Sequence, residues 1–235
     1  MSRVRGVLFD LYGTLIRWVV HPETHRAVFA RHGLLREHAA WGDQWAVGPG
    51  DGELHLVHSV SREAYHAWEL ERLRIRTRAA GVSEERIEAL VRDLYQVPDT
   101  AAFAAYQEVA EVLAELRRRD LVVAVCSNWG WELEQALARV GLADAFEVAV
   151  GSAQAGARKP HPLIYQVSLA RCGLRASEAL FVGDSWGPDV VGPRSLGIRA
   201  VHLCRDEPAV RGRAVPPGCP EVPRIADLRG LLPLL

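Results

Sequence analysis

The sequence has 235 residues, 49% of them hydrophobic, and a formal net charge of −1. This length is enough for a full core, so we expect one large domain or one domain with a smaller insert. The charge gives no electrostatic reason to expect nucleic acid or a membrane as a partner, and no apolar run approaches the roughly 20 residues that cross a bilayer. The first ten residues do not resemble a signal peptide, and the cysteines lack metal-ligand spacing, so we expect a cytoplasmic protein with reduced thiols.

The apolar and helical patterns alternate along most of the chain. Val4 to Phe9 predicts a buried strand, and the Asp-Leu-Tyr-Gly-Thr sequence that follows predicts a tight turn. From about 17 to 99 only helical patterns occur, over 61–80 and 84–95. Further strands are predicted at 121–126, 146–150, 179–182 and 199–204, and further helices at 106–120, 131–140 and 162–172.

This alternation predicts an α/β fold, in which a Rossmann-like parallel sheet is covered by helices on both faces. The helical stretch interrupts the alternation after the first strand. We therefore predict a discontinuous catalytic core at 1–16 and 100–235, with an inserted α-helical domain at 17–99. The proline-rich, charged segment 205–224 is predicted to be a surface excursion.

Polar side chains follow three predicted strands at the point where each strand ends. Asp10 follows the first strand, and Ser127 and Asn128 follow the second. Asp184 follows the strand predicted at 179–182, and a further carboxylate, Asp189, comes five residues later. Ligands of open parallel sheets bind at this edge, and clustered carboxylates suit a hard cation such as Mg²⁺. The pattern predicts phosphoryl displacement by Asp10 through an aspartyl phosphate. Ser127, Asn128 and backbone amides would hold the other phosphoryl oxygens.

Lys159 is the only lysine among 28 lysine and arginine residues. Arginine replaces lysine poorly where a compact ammonium is needed, so we interpret Lys159 as the group that balances charge and orients the nucleophile. The structural alternatives are a lysine that survived GC-rich codon usage by chance and carboxylates that only cap turns and helices.

These residues resemble the four motifs of the haloacid dehalogenase-like hydrolase superfamily, in the family's order. The motifs are Phe9 to Thr14, Cys126 to Asn128, Arg158 to Pro160, and Val182 to Ser185 with Asp189. The resemblance covers roughly 1–16 and 100–204. The insert between the first two motifs is similar to the family's helical cap, which closes over the active site.

The resemblance implies a role for each matching residue. Asp10 would be both nucleophile and metal ligand, joined by Asp184 and the backbone carbonyl of Tyr12. Asp189 would support the metal-bound waters and Lys159. By the same resemblance, Mg²⁺ is the expected cofactor, with Thr14 bonded near the nucleophile and Ser127 bound to the phosphoryl group.

Tyr12 departs from the phosphatases of this family, which usually carry an aspartate there as general acid and base. A phenol, with an unperturbed pKa near ~10, is a poor base at neutral pH. Tyrosine at this position is typical of the metal-free 2-haloacid dehalogenases of the family, but these lack the fourth-motif pair of Asp184 and Asp189. We therefore expect a phosphatase of small organic phosphates.

Three alternatives stay open at this point. The chain could be a 2-haloacid dehalogenase, or it could be a non-catalytic phosphate-binding protein. A histidine of the insert could also supply the missing acid or base. The partner expected in each enzymatic case is a small molecule, with no nucleic acid or membrane, and the protein would be a monomer or homodimer.

Overall fold

The computed structural model describes residues 3–42, 52–97, 102–206 and 222–235. The chain divides into two compact units, which we call the core (Met1–Arg17 with Ala104–Leu235) and the insert (Trp18–Phe103). The predicted boundary at 16/17 stays a prediction, and the one at 99/100 lies outside the described residues. Most of the predicted surface excursion, 207–221, lies outside the described residues.

The strands and helices occur in the order expected of an α/β protein. The strands are β1 (Gly6–Phe9), β2 (Ile16–Val20), β3 (Ala102–Ala105), β4 (Val122–Ser127), β5 (Val148–Gly151), β6 (Ala179–Gly183), β7 (Arg199–Leu203) and β8 (Arg224–Ile225). The helices are α1 (His25–Arg31), α2 (Leu35–Trp41), α3 (Arg62–Ala79), α4 (Glu84–Gln96), α5 (Val109–Arg118), α6 (Leu133–Arg139), α7 (Ser152–Ala155), α8 (Pro162–Cys172) and α9 (Gly192–Ser195).

The core contains a six-stranded parallel sheet in the order β5-β4-β1-β6-β7-β8. All residues of β1 and β6 are buried, as expected for strands that are covered on both faces. Leu8 packs in one cluster with Tyr165 of α8. Side chains alternate between the two faces along a strand. Helix α5 also packs on β4, but its residues are not part of that cluster. It therefore covers the opposite face of the sheet. The predicted fold class is confirmed.

The insert has a hydrophobic centre of its own, formed by residues from helices α1 to α4. Phe29, Trp41, Leu73 and Leu90 are among its buried members. Its longest helix, α3, begins after Ser61, whose hydroxyl accepts from Ala64 N at 3.1 Å, an N-cap that stabilises the first turn. Within the part of the chain that the structure describes, no helix combines the length and apolarity needed to cross a membrane.

The prediction that residues from about 17 to 99 hold helices alone is wrong at the start of this range, where β2 covers Ile16–Val20. β2 and β3 form a separate two-stranded sheet, and Trp18 stacks on Phe103 with 3.9 Å between ring centroids. This cross-strand aromatic pair stabilises two short strands. Because its members lie far apart in the sequence, a local pattern cannot indicate it.

The strand register places the polar residues of the core side by side. Phe9 pairs with both Val125 and Val182, so β1, β4 and β6 end within two residues of one another. Asp10 N donates to Val182 O at 2.9 Å and continues this register beyond the strand. The chain passes from β1 to β4 and β5 on one side and then to β6 on the other. This reversal opens a crevice at the carboxyl edge of β1.

Candidate active site

Three carboxylates meet at the carboxyl edge of the core sheet. Asp10 follows β1, Asp184 follows β6, and Asp189 lies in the helical turn Trp186–Val191. One oxygen from each lies within 4.8 Å of the other two. Asp10 is 8%, Asp184 1% and Asp189 0% exposed, so water screens their mutual repulsion poorly.

The Lys159 ammonium lies between two of these carboxylates. Its Nζ is 2.8 Å from Asp10 Oδ1 and 2.6 Å from Asp189 Oδ1. Burial acts to lower the pKa of this ammonium, but the carboxylates of Asp10 and Asp189 raise it above its ordinary value. Lys159 is therefore charged at neutral pH, and the cluster of three carboxylates and one ammonium has a formal charge of −2.

Asn128 holds Lys159 in place through its backbone. The Asn128 side chain donates from Nδ2 to Lys159 O at 3.0 Å and accepts from Lys159 N at 2.6 Å. The sequence predicts Asn128 as a phosphoryl-binding residue, whereas in the structure its amide contacts the lysine peptide and positions the ammonium. Ser127, its neighbour, donates from Oγ to Asp10 Oδ1 at 3.0 Å.

The loop after Asp10 is built around Gly13. Leu11 O accepts hydrogen bonds from the backbone N–H groups of Thr14, Leu15 and Ile16, which closes the loop. Gly13 has a φ of 84°, a conformation that strongly favours glycine. A Cβ added there would lie 2.4 Å from Asp184 Oδ2. The tight turn therefore brings the first loop directly against the Asp184 carboxylate.

The catalytic roles predicted for two residues of this loop, Tyr12 and Thr14, stay predictions. Tyr12 is half-buried, and its backbone bridges to Ile16. Thr14 is fully buried, and within the described residues its hydroxyl has no hydrogen-bond partner.

A second glycine makes room for Asp189. A Cβ on Gly183 would lie 2.4 Å from Asp189 Cγ, and Ser185 N donates to Asp189 Oδ2 at 2.8 Å. Burial raises the pKa of the Asp189 carboxyl to about 6, an effect that the Lys159 ammonium opposes and the Asp10 carboxylate reinforces. A nearby cation would favour the ionised form of this group.

His202 supports the site and was not predicted from the sequence. Its Nε2 lies 3.0 Å from Asp184 O, and its Nδ1 lies 3.2 Å from Cys204 Sγ. Since a carbonyl only accepts, Nε2 carries the proton and Nδ1 accepts from the thiol. Burial, together with nearby Arg224, lowers the pKa of the imidazole. The sequence signal that could have identified His202 is its place near the end of β7, the strand next to β6.

The arrangement fits a hard divalent cation. The side chains of Asp10, Asp184 and Asp189 offer only oxygen donors, as Mg²⁺ prefers, and their surplus negative charge is buried with a single ammonium. Among the described residues, both hydrogen bonds to the Asp10 carboxylate go to Oδ1. Oδ2 is therefore available to a cation or to an electrophile.

A family model described as haloacid dehalogenase-like hydrolase matches residues 4–197 of the chain. The chain is also 31% identical over 206 residues to a phosphoglycolate phosphatase of Pectobacterium atrosepticum, a match that covers 86% of this chain and 81% of that protein. These two findings confirm the resemblance that the four motifs predicted.

Two crystal structures share the fold. A HAD phosphatase from Thermococcus onnurineus has a TM-score of 0.57 at 20% identity, covering 98% of this chain and 97% of that one. An L-2-haloacid dehalogenase from Xanthobacter autotrophicus, with chloropropionic acid covalently bound, has a TM-score of 0.59 at 20% identity, covering 99% of this chain and 98% of that one. At this identity the likeness concerns the fold alone.

Gly13→Ala is expected to weaken Mg²⁺ binding and to lower turnover at least about a hundredfold, because the new methyl group displaces the Asp184 carboxylate. Gly141→Ala is the matched control: Gly141 has a φ of 75°, but an added Cβ would meet nothing within 4 Å. Both changes cost about 1–2 kcal/mol of backbone strain. Thermal unfolding and Mg²⁺ titration of both variants separate the two effects, and equal Mg²⁺ affinity in both would contradict the close packing of Gly13 on Asp184.

Proposed function

Because the chain belongs to the haloacid dehalogenase-like hydrolase family, we propose that it is a Mg²⁺-dependent phosphatase acting on a small organic phosphate. The observation that carries this proposal is the cluster of Asp10, Asp184 and Asp189 around Lys159. Displacement at phosphorus needs positive charge near the transferred oxygens, and a cation held by these carboxylates would supply it. A cytoplasmic location is part of the proposal, in keeping with the free thiols of Cys126, Cys172 and Cys204.

Asp10 would act as the nucleophile. One of its oxygens attacks phosphorus, the ester P–O bond breaks, and the electron pair leaves with the alcohol oxygen, which takes up a proton. Water then attacks the phosphorus of the aspartyl phosphate, releases inorganic phosphate and restores the carboxylate. The hydrogen bonds that Ser127 and Lys159 donate to Oδ1 hold the carboxylate in one orientation, which favours attack by Oδ2.

Mg²⁺, when bound, would offset the charge that develops on the phosphoryl oxygens. Asp184 and Asp10 would hold it with the Tyr12 carbonyl, and Asp189 would orient its waters and Lys159. The Lys159 ammonium stays charged through the reaction and contributes a fixed positive field in a region from which water is excluded. The Ser127 hydroxyl would bind a phosphoryl oxygen.

Protonation of the leaving group is the step for which the chain has the weakest side chain. The side chain of Tyr12 stands where family phosphatases usually carry an aspartate. A phenol, with an unperturbed pKa near ~10, is a far weaker acid than the carboxyl group of an aspartate, with an unperturbed pKa near ~4, so it donates a proton to a departing alcohol oxygen less readily. The enzyme would therefore prefer acyl and aryl phosphates, whose leaving groups depart without a proton, over simple alkyl phosphates.

The second candidate is a 2-haloacid dehalogenase, and Tyr12 is the observation that favours it. A halide leaves carbon without needing a proton, so the missing acid would be no defect. The buried pair of Asp184 and Asp189 weighs against it, because metal-binding carboxylates serve no purpose in displacing halide. A non-catalytic phosphate-binding protein is the third candidate.

Phosphate release from a panel of acyl, aryl and alkyl phosphates, measured with Mg²⁺ and with a chelator, distinguishes these functions. We expect release that requires Mg²⁺ and falls at least about a thousandfold in Asp10→Asn. Asp227→Asn is the control, since Asp227 caps the C-terminal helical turn by accepting from Arg229 N and asparagine caps equally well.

Halide release from 2-chloropropionate is measured in parallel. Halide release that continues in the presence of the chelator would show that the protein is a dehalogenase and not a phosphatase. Binding of phosphate analogues without either product would favour the non-catalytic protein.

Tyr12→Asp is expected to raise turnover of alkyl phosphates by about a hundredfold or more, since a positioned general acid contributes ~10²–10⁴-fold. Aryl phosphates with good leaving groups should gain far less. The readout is the dependence of kcat/KM on the pKa of the leaving alcohol, which should become shallower in the variant. Tyr12→Phe is the control, and an equal gain in both variants would show that space rather than proton transfer limits the enzyme.

A further inference from the structure

Arg205, two residues after the end of β7, is buried among partners that the proposed mechanism does not use. Its Nη2 donates to Thr14 O at 2.8 Å and lies 2.6 Å from Glu108 Oε1. Its guanidinium carbon lies 3.5 Å from the centroid of the Tyr106 ring. With only 8% of the residue exposed, these contacts are shielded from water and stronger than equivalent surface contacts.

The partners of Arg205 differ in how firmly they are held. Glu108 is the N-cap residue of α5, a helix anchored by the fully buried Val109 and Val112. Tyr106 is tied to the chain before β2, since its N–H donates to Leu15 O at 3.0 Å. Thr14, in contrast, lies in an irregular loop. Glu108, held at the start of α5, therefore fixes the guanidinium from outside the loop, and the guanidinium in turn fixes the Thr14 carbonyl.

The Thr14 carbonyl belongs to the residue after Gly13, where the loop that follows Asp10 packs against Asp184. Gly13 packs against the Asp184 carboxylate, so closely that a Cβ would lie 2.4 Å from Oδ2. The same loop begins at Asp10. A displacement of Thr14 by a fraction of an ångström would therefore change the spacing between the Asp10 and Asp184 oxygens, on which the affinity for a cation depends.

We propose that Arg205 is a positioning residue for the cation site, acting through the Thr14 carbonyl on the loop 11–16. It touches neither the cation nor the substrate. The proposal deepens the function proposed above and rests on it. An arginine suits the task because its planar guanidinium can stack on the Tyr106 ring while Nη2 reaches the oxygens of Thr14 and Glu108, whereas an ammonium has no plane to stack.

The test is Arg205→Lys, which keeps a positive charge opposite Glu108. Arg76→Lys is the matched control, because Arg76 also stacks on an aromatic ring, Trp41, at 4.2 Å and donates to a backbone carbonyl, Trp41 O, at 2.6 Å. Arg76 belongs to the insert, where no predicted metal ligand lies. Two quantities are measured without substrate: the Mg²⁺ dissociation constant by calorimetry, and amide hydrogen exchange of peptides covering 11–16.

In Arg205→Lys we expect the Mg²⁺ dissociation constant to rise between about 10-fold and 100-fold and exchange in 11–16 to accelerate in the metal-free protein. The control should change neither. Unchanged Mg²⁺ affinity and unchanged exchange in Arg205→Lys would overturn the proposal. If Arg205→Lys does not fold, Glu108→Gln, which loosens the guanidinium from its other side, decides by the same two measurements.

The two proposals fail in distinguishable ways. A wild-type protein that binds no Mg²⁺ would remove the metal-dependent function and with it the role of Arg205 at a cation site. Mg²⁺ binding that is normal in the wild type and unaffected in both Arg205→Lys and Glu108→Gln would remove the role of Arg205 alone.

Discussion

The ammonium of Lys159, buried between Asp10 and Asp189 with Asp184 close by, is the interaction on which the rest of the core depends. Removing one partner of a buried ion pair costs about 3–5 kcal/mol, because the other charge is left uncompensated. Here one positive charge serves three negative ones. Several backbone elements hold each group of this cluster in place, and the proposed Mg²⁺ would balance the remaining charge.

Each member of the cluster is held from a different part of the core. The register of β1 with β6 sets the position of Asp10 beside Gly183, and the side chain of Asn128 holds the backbone of Lys159. Two glycines, at 13 and 183, admit the carboxylates that a Cβ would displace. The site is thus a product of the whole sheet edge, which explains why its motifs are spread over more than 170 residues of the sequence.

The elements predicted best were those whose ends carry local signals. Helix α8 matches its prediction at both ends, because Pro162 opens it and Gly173, in the left-handed conformation, closes it. Asp10 and Asp184 could be predicted as neighbours because parallel strands end at one edge. The pairing of β2 with β3 and the contact of Asn128 with the Lys159 peptide could not, since both join distant segments through loop conformations that no periodicity encodes. The contacts of Arg205 could not be predicted for the same reason, whereas His202 lies near the end of β7, next to β6, and could have been considered.

The claim that the buried carboxylates share a divalent cation is tested most directly by diffraction from crystals soaked in Mn²⁺, a stand-in for Mg²⁺ whose anomalous signal locates the ion. The account predicts one peak per chain, within bonding distance of oxygens of both Asp10 and Asp184, and its loss in Asp184→Asn. An absent peak, or an ion bound elsewhere, would contradict it.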